Sequence, residues 1–86
     1  MPPFKVVFKP SVERDLRHLA VDVARRVLAA TELLADDPFP RGAVKLKGAE
    51  RLHRIRIGGY RIIYEVDVPR REVTVHYVRR RETAYG

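Results

Sequence analysis

The stretch Leu52-His53-Arg54-Ile55-Arg56-Ile57-Gly58-Gly59-Tyr60-Arg61-Ile62-Ile63-Tyr64-Glu65-Val66-Asp67 decides the fold. β-branched and aromatic residues alternate with charged ones on either side of Gly58-Gly59, which is the pattern of two half-buried strands joined by a two-residue turn. That turn sets Ile57 against Tyr60, Arg56 against Arg61, Ile55 against Ile62 and Arg54 against Ile63. A third strand, Glu72 to Arg79, follows Val68-Pro69-Arg70-Arg71. With Asp67 opposite Glu72, Val66 meets Val73, Tyr64 meets Val75 and Ile62 meets Tyr77. The two registers agree in placing Ile55, Ile57, Ile62, Tyr64, Val66, Val73, Val75 and Tyr77 on one face, and a slip of one residue would turn all of them to the other.

Upstream, Phe4-Lys5-Val6-Val7-Phe8-Lys9 reads as a first strand that Pro10 ends. Ser11 is positioned to cap a helix in which Val12, Leu16, Leu19 and Ala20 recur at helical spacing. Asp22 is positioned to cap a second, lined by Val23, Val27, Ala30 and Leu34 with Ala24, Leu28 and Thr31 alongside. Asp36-Asp37-Pro38-Phe39-Pro40 stops it. Residues 37–50 read as a loop punctuated by Pro38, Pro40, Gly42 and Gly48. The order β-α-α-β-β-β predicts an α+β domain: an antiparallel sheet with two N-terminal helices packed on one face.

With 86 residues, 45% of them hydrophobic and 34% charged, the chain has material for a single domain spanning 1–86. A domain this small buries only roughly 60–65% of its unfolded surface, so a functional site is expected on the outside. The absence of cysteine excludes disulfides, thiol nucleophiles and cysteine-ligated zinc, and suits a reducing cytoplasm. No run approaches the ~18 apolar residues of a membrane span, and the first residues do not read as a signal peptide, so a cytoplasmic location is expected.

The formal charge of +7 points to a polyanionic partner. It is unevenly spread. Residues 1–43 carry seven basic and six acidic side chains, whereas 44–86 carry eleven and five. Fourteen of the eighteen cations are arginine, whose planar fork grips phosphate bidentately and stays charged at any cellular pH. On the sheet face away from the helices the expected register gathers Arg54, Arg56, Arg61, Glu65, Thr74 and His76, with Arg56 directly across from Arg61. Like charges so placed cost up to ~1 kcal/mol, and an anion seated among them removes the penalty. Arg79-Arg80-Arg81 enlarges the same field. Tyr60, Tyr64 and Tyr77 alternate toward the helices and read as core or rim. Tyr85, beyond the last strand, is free to stack on a base. The histidines at 18, 53 and 76 show no metal-ligand spacing, and no metal or cofactor is expected.

Several of these pieces together resemble the RelE/ParE toxin superfamily of small toxins encoded beside an antitoxin. They are Lys9-Pro10, Arg14-Asp15-Leu16-Arg17-His18-Leu19, Asp37-Pro38, Lys45-Leu46-Lys47-Gly48, the block Leu52 to Tyr64, and Val78-Arg79-Arg80-Arg81-Glu82-Thr83-Ala84-Tyr85. The Arg-x-Arg strand, glycine turn and Tyr-Arg-x-x-Tyr are the specific part. In the RelE branch the resemblance implies a metal-independent messenger-RNA endonuclease that inhibits translation in the ribosomal A site. By matching positions it implies catalytic roles for Arg54, Arg56, Arg61, Arg81 and Tyr85. Lys45, Lys47, Arg79 and Arg80 become RNA-binding positions.

That chemistry is consistent with the residue types. Attack of a ribose 2′-hydroxyl on the adjacent phosphate builds negative charge on the phosphoryl oxygens, which fixed arginines stabilise. Where the branch often carries lysines, this chain has Arg54 and Arg56, far poorer general bases because their pKa lies above ~12, so acid and base stay unassigned between Tyr85 and His76. The implied partners are an acidic antitoxin, in an oligomeric toxin–antitoxin complex, and the ribosome with its mRNA. Two alternatives stay open: a ParE-like inhibitor of DNA gyrase, and a nonenzymatic RNA-binding module.

Overall fold

Gly58 adopts φ +58°, and in the β3–β4 hairpin that it turns every expected pair is present: Ile57 with Tyr60, Arg56 with Arg61, Ile55 with Ile62, Arg54 with Ile63. Gly59 does not share the positive φ, so the turn needs glycine's freedom only at its first central residue. The computed structural model describes residues 3–48 and 51–80, and within them the element order is β1 (Lys5–Phe8), α1 (Pro10–Arg17), α2 (Val21–Leu33), β2 (Val44–Lys45), β3 (Leu52–Ile57), β4 (Tyr60–Asp67) and β5 (Glu72–Arg80). The strands form one five-stranded sheet in the order β1-β5-β4-β3-β2.

The α+β class is as expected, with two additions. β1 runs parallel to β5, pairing Lys5 with Glu72 through Phe8 with Val75, and the two-residue β2 arises inside the stretch read as loop, pairing Val44 with Arg54 and Lys45 with His53. The helices cover one face only. Val12, Val27 and Leu34 meet Ile55, Ile62, Tyr64, Val66, Val73, Val75 and Val78 in a single buried cluster.

The last strand departs from its expected register partway along. Val66 faces Val73 and Tyr64 faces Val75 as expected, but Ile63 then faces Tyr77 and Ile62 faces Val78. The expected Ile62–Tyr77 pair is therefore absent, because His76 is an extra residue, a β-bulge, and one added residue reverses the alternation of everything beyond it. Val78, 4% exposed, takes the core position, and Tyr77 turns with Ile63 to the opposite face.

Both expected helix caps are also corrected. Lys9 is the N-cap of α1 and Pro10 its first residue, where the missing N–H costs nothing. The Ser11 hydroxyl instead donates to the main-chain oxygen of His76 at 2.8 Å, satisfying the bulge. In α2 the N-cap is Ala20, and Asp22 lies in the first turn, where its charge favours the helix dipole.

Tyr64 ties the loop after α2 to the core. Fully buried, its hydroxyl donates to the Pro38 carbonyl at 2.8 Å, and its ring stacks on His53 at 5.7 Å, which in turn meets the edge of Phe39 at 5.1 Å. Burial, reinforced by the nearby negative charge of Asp37, pushes the Tyr64 phenol up to about 12 from its ordinary 10. The native state thus holds Tyr64 neutral where the unfolded chain would ionise it. Its contribution is complete below pH ~10 and is lost as pH rises toward ~12. Tyr64→Phe is expected to lower stability by about 1 kcal/mol at neutral pH, measured by denaturant unfolding, and to show a shallower loss of stability between pH ~10 and ~12 than the parent.

Candidate nucleic-acid interface

The bulge reshapes the face that the helices leave bare. Because Arg61 pairs with Arg56 on one side and with Arg79 on the other, three arginines stand in one row across β3, β4 and β5, with neighbouring strands about 4.8 Å apart. In the unbulged register Val78 would have stood opposite Arg61, and Arg79 would have pointed to the other face. Arg54, two residues before Arg56, lies on the same face opposite Ile63. Ile63 is only 2% exposed, so an apolar floor lies between Arg54 and Tyr77.

Carboxylates gather toward the other end of this face. Glu65 receives His76 Nε2 at 3.0 Å, and Asp67 pairs with Arg51 at 3.2 Å. Arg79 donates to Asp15 of α1 at 2.7 Å while its guanidinium lies 4.8 Å from the centre of the Tyr77 ring. Among the described residues no carboxylate pairs with Arg54 or Arg56. The β4–β5 turn balances Asp67 and Glu72 with Arg70 and Arg71, whereas the hairpin from Arg56 to Arg61 carries arginine and no carboxylate, so an extended anion is drawn to the hairpin end.

The remaining sequence-derived residues are spread more widely. Arg80 ends β5, exposed, with its guanidinium 5.9 Å from the centre of the Tyr60 ring. Lys45 and Lys47 are exposed beside β3, Lys45 opposite His53. Arg81 and Tyr85 fall outside the described residues. Each histidine has its own setting: His18 contacts the Arg14 carbonyl, His53 is stacked between rings, and His76 is bound to Glu65. Among the described residues no group of three or more metal-ligating side chains assembles.

Two participants escaped the sequence reading. Arg26 of α2 reaches the hairpin, its Nη2 3.6 Å from where a side chain on Gly58 would begin. Asp15 reaches β5 from α1. Both sit on polar helical faces that look like ordinary solvated surface, and only packing of helix on sheet brings them to the basic field. Beside Arg54 and Arg56, a cleft of about 500 Å3 opens between α2 and β3, floored by Ala30, Leu33, Val44, Ile55 and Ile57 and flanked by Arg41.

This arrangement can bind a phosphate backbone and stabilise charge that develops on it, since charge-assisted, forked hydrogen bonds from arginine are strong and directional. It offers no arginine suited to proton transfer. The titratable pair on the same face is His76 with Glu65.

A family model described as the ParE toxin of the type II toxin-antitoxin system, parDE, matches residues 6–85. Over 85 residues the chain is 31% identical to a protein of Methanocaldococcus jannaschii named "Putative toxin RelE1", covering 95% of this chain and 94% of that one. The fold is similar to that in the archaeal RelE-RelB complex from Pyrococcus horikoshii, with TM-score 0.83, 28% identity and coverage of 92% of this chain and 96% of that one. It is similar also to the toxin-antitoxin complex RelBE2 of Mycobacterium tuberculosis, with TM-score 0.81, 26% identity and coverage of 92% and 99%. A family model that spans almost the whole sequence, joined to this likeness in fold, makes the chain a member of the RelE/ParE superfamily of type II toxins, RelE-like within it.

Proposed function

We propose that this toxin is a ribosome-dependent, metal-independent mRNA endonuclease that cuts in the A site. The observation that carries the reading is the row Arg56, Arg61 and Arg79, with Arg54 beside it, on the face the helices leave open. Like charges side by side weaken a sheet locally, and a phosphate backbone laid over Arg54 and Arg56, which no described carboxylate pairs, offsets that cost. The 2′-hydroxyl oxygen forms a bond to phosphorus, the bond to the 5′ oxygen breaks, and a proton passes from the first oxygen to a base and another to the leaving oxygen. The products are a 2′,3′-cyclic phosphate and a free 5′-hydroxyl. Arg54, Arg56 and Arg61 stabilise the phosphoryl charge, joined by Arg81, while Tyr85 stacks on the nucleotide. Lys45, Lys47 and Arg80 hold flanking RNA, and Arg79 joins them once its side chain leaves Asp15.

The partner that restrains the toxin is an acidic antitoxin. Support comes from the two solved relatives named above, both toxin–antitoxin complexes, and from the charge of +7, which favours an acidic chain. A second reading, inhibition of DNA gyrase, has one observation in its favour: the matching family model is described as the ParE toxin.

Incubation with translating ribosomes, followed by mapping of message ends, separates the readings. Cyclic-phosphate ends at A-site codons are expected, and Arg61→Ala should reduce cleavage by about 10²–10³-fold. Intact messages together with blocked gyrase would establish the second reading instead. Intact messages with ribosomal RNA binding retained would leave only a nonenzymatic RNA-binding module.

Arg56→Thr is expected to move stability and RNA affinity in opposite directions. Thermal or denaturant unfolding should show a gain of about 0.2–1 kcal/mol as repulsion from Arg61 is relieved, while a binding titration shows weaker RNA affinity.

A further inference from the structure

β5 changes its edge partner at the bulge. Up to Val75 its outer edge is occupied by β1, whose last contact is the Lys9 N–H donating to the Val75 carbonyl at 3.1 Å. Beyond that point α1 takes over with side chains: Ser11 donates to the His76 carbonyl, and Asp15 Oδ2 accepts the Val78 N–H at 3.0 Å. The same Oδ2 accepts Arg79 Nη1 at 2.7 Å, and Nη1 also donates to the Val78 carbonyl at 3.2 Å. One carboxylate oxygen thus closes a strand edge and engages the arginine that the bulge adds to the basic row.

An isolated surface ion pair contributes little, because two mobile side chains must be ordered against solvent screening. Here both partners are already ordered. Asp15 is fixed by the backbone N–H, and the Arg79 guanidinium is further held by the Val78 carbonyl and by the Tyr77 ring.

We propose that Asp15 is a positioning residue for the RNA-binding face, a latch that draws the Arg79 side chain toward α1 and withholds it from backbone phosphates that Arg56 and Arg61 engage. Arg79 is then a latent phosphate contact, and the latch sets how tightly the toxin grips single-stranded RNA before it is seated on its target. This rests on the reading of the arginine face as an RNA surface, though not on cleavage.

The test is a titration of the full-length protein with a single-stranded oligoribonucleotide, without ribosomes, over a series of salt concentrations. Asp15→Asn keeps an oxygen for the Val78 N–H and removes the charge that holds Arg79. It should leave the melting temperature little changed, tighten binding about fivefold near ~0.1 M salt, and steepen the slope of log K against log salt by about 0.7, the increment for one further single-strand phosphate contact. Arg79→Gln should change affinity less than about twofold in the parent and about fivefold in the Asp15→Asn background, a non-additivity that a purely structural Asp15 would not produce. Glu13→Gln, which removes an exposed carboxylate from the same helix without touching Arg79, should leave the slope unchanged.

Equal loss from Arg79→Gln in both backgrounds would overturn the latch, because Arg79 would already reach phosphate past Asp15. An unchanged slope in Asp15→Asn would overturn it as well. A protein that binds the oligonucleotide as described and yet leaves translated messages intact satisfies this proposal while refuting the nuclease reading. A protein that binds no oligoribonucleotide in any variant overturns the latch, while cleavage of translated messages by the same protein would still uphold the ribosome-dependent nuclease reading.

Discussion

The single extra residue at His76 sets what the last strand delivers to each side of the sheet. Before it, Val73 and Val75 face the helices; after it, Val78 does, while Tyr77 and Arg79 turn outward. A bulge leaves its own backbone groups without ladder partners, and here α1 supplies one with Ser11, then caps the open edge two residues on with Asp15. The short first helix is therefore more than a lid on the core. It is the edge partner of β5 where β1 has run out, and the Arg56–Arg61–Arg79 row depends on that hand-over.

The two faces of the sheet answer to opposing demands. The helix-covered face holds a continuous apolar cluster from Val12 to Val78, and the stability of the domain comes from its burial. The bare face carries like charges side by side, which weakens the sheet locally. A small domain tolerates this because each row of side chains on one face is independent of the pleat's other side. Glu65 is engaged by His76 and Asp67 by Arg51, and Asp15 reaches only Arg79 at the far strand, so Arg54 and Arg56 on β3 keep their positive potential.

The loop after α2 is anchored rather than loose. Tyr64, which the sequence pattern assigned to the core, also holds the Pro38 carbonyl, and the stack of Tyr64, His53 and Phe39 fixes where the chain turns toward β2. That placement creates the apolar cleft beside Arg54 and Arg56, on the side of the sheet where α2 ends. The tyrosines of β4 and β5 thus divide their duties: Tyr64 is structural, and Tyr77 is a platform for Arg79 on the basic face.

Much of this was written in local pattern. Alternation through Leu52 to Asp67 and the glycine turn determined the central hairpin and its register, because a period of two with one buried face permits one pairing only. The two helices, the α+β class and the pairing of Arg56 with Arg61 followed in the same way, except that α1 ends at Arg17 and leaves Leu19 and Ala20 of its expected stripe in the connection to α2. Tertiary structure alone decided the bulge at His76, the parallel seat of β1 beside β5, the passage of Ser11 and Asp15 from helix to strand edge, and the approach of Arg26 to the hairpin. The contacts of Ser11, Asp15 and Arg26 join residues some 30 to 65 positions apart in the chain, and the local surroundings of these three are those of ordinary polar helix surface. Periodicity records which face a residue takes relative to its neighbours; it holds no record of which distant backbone group will need a partner.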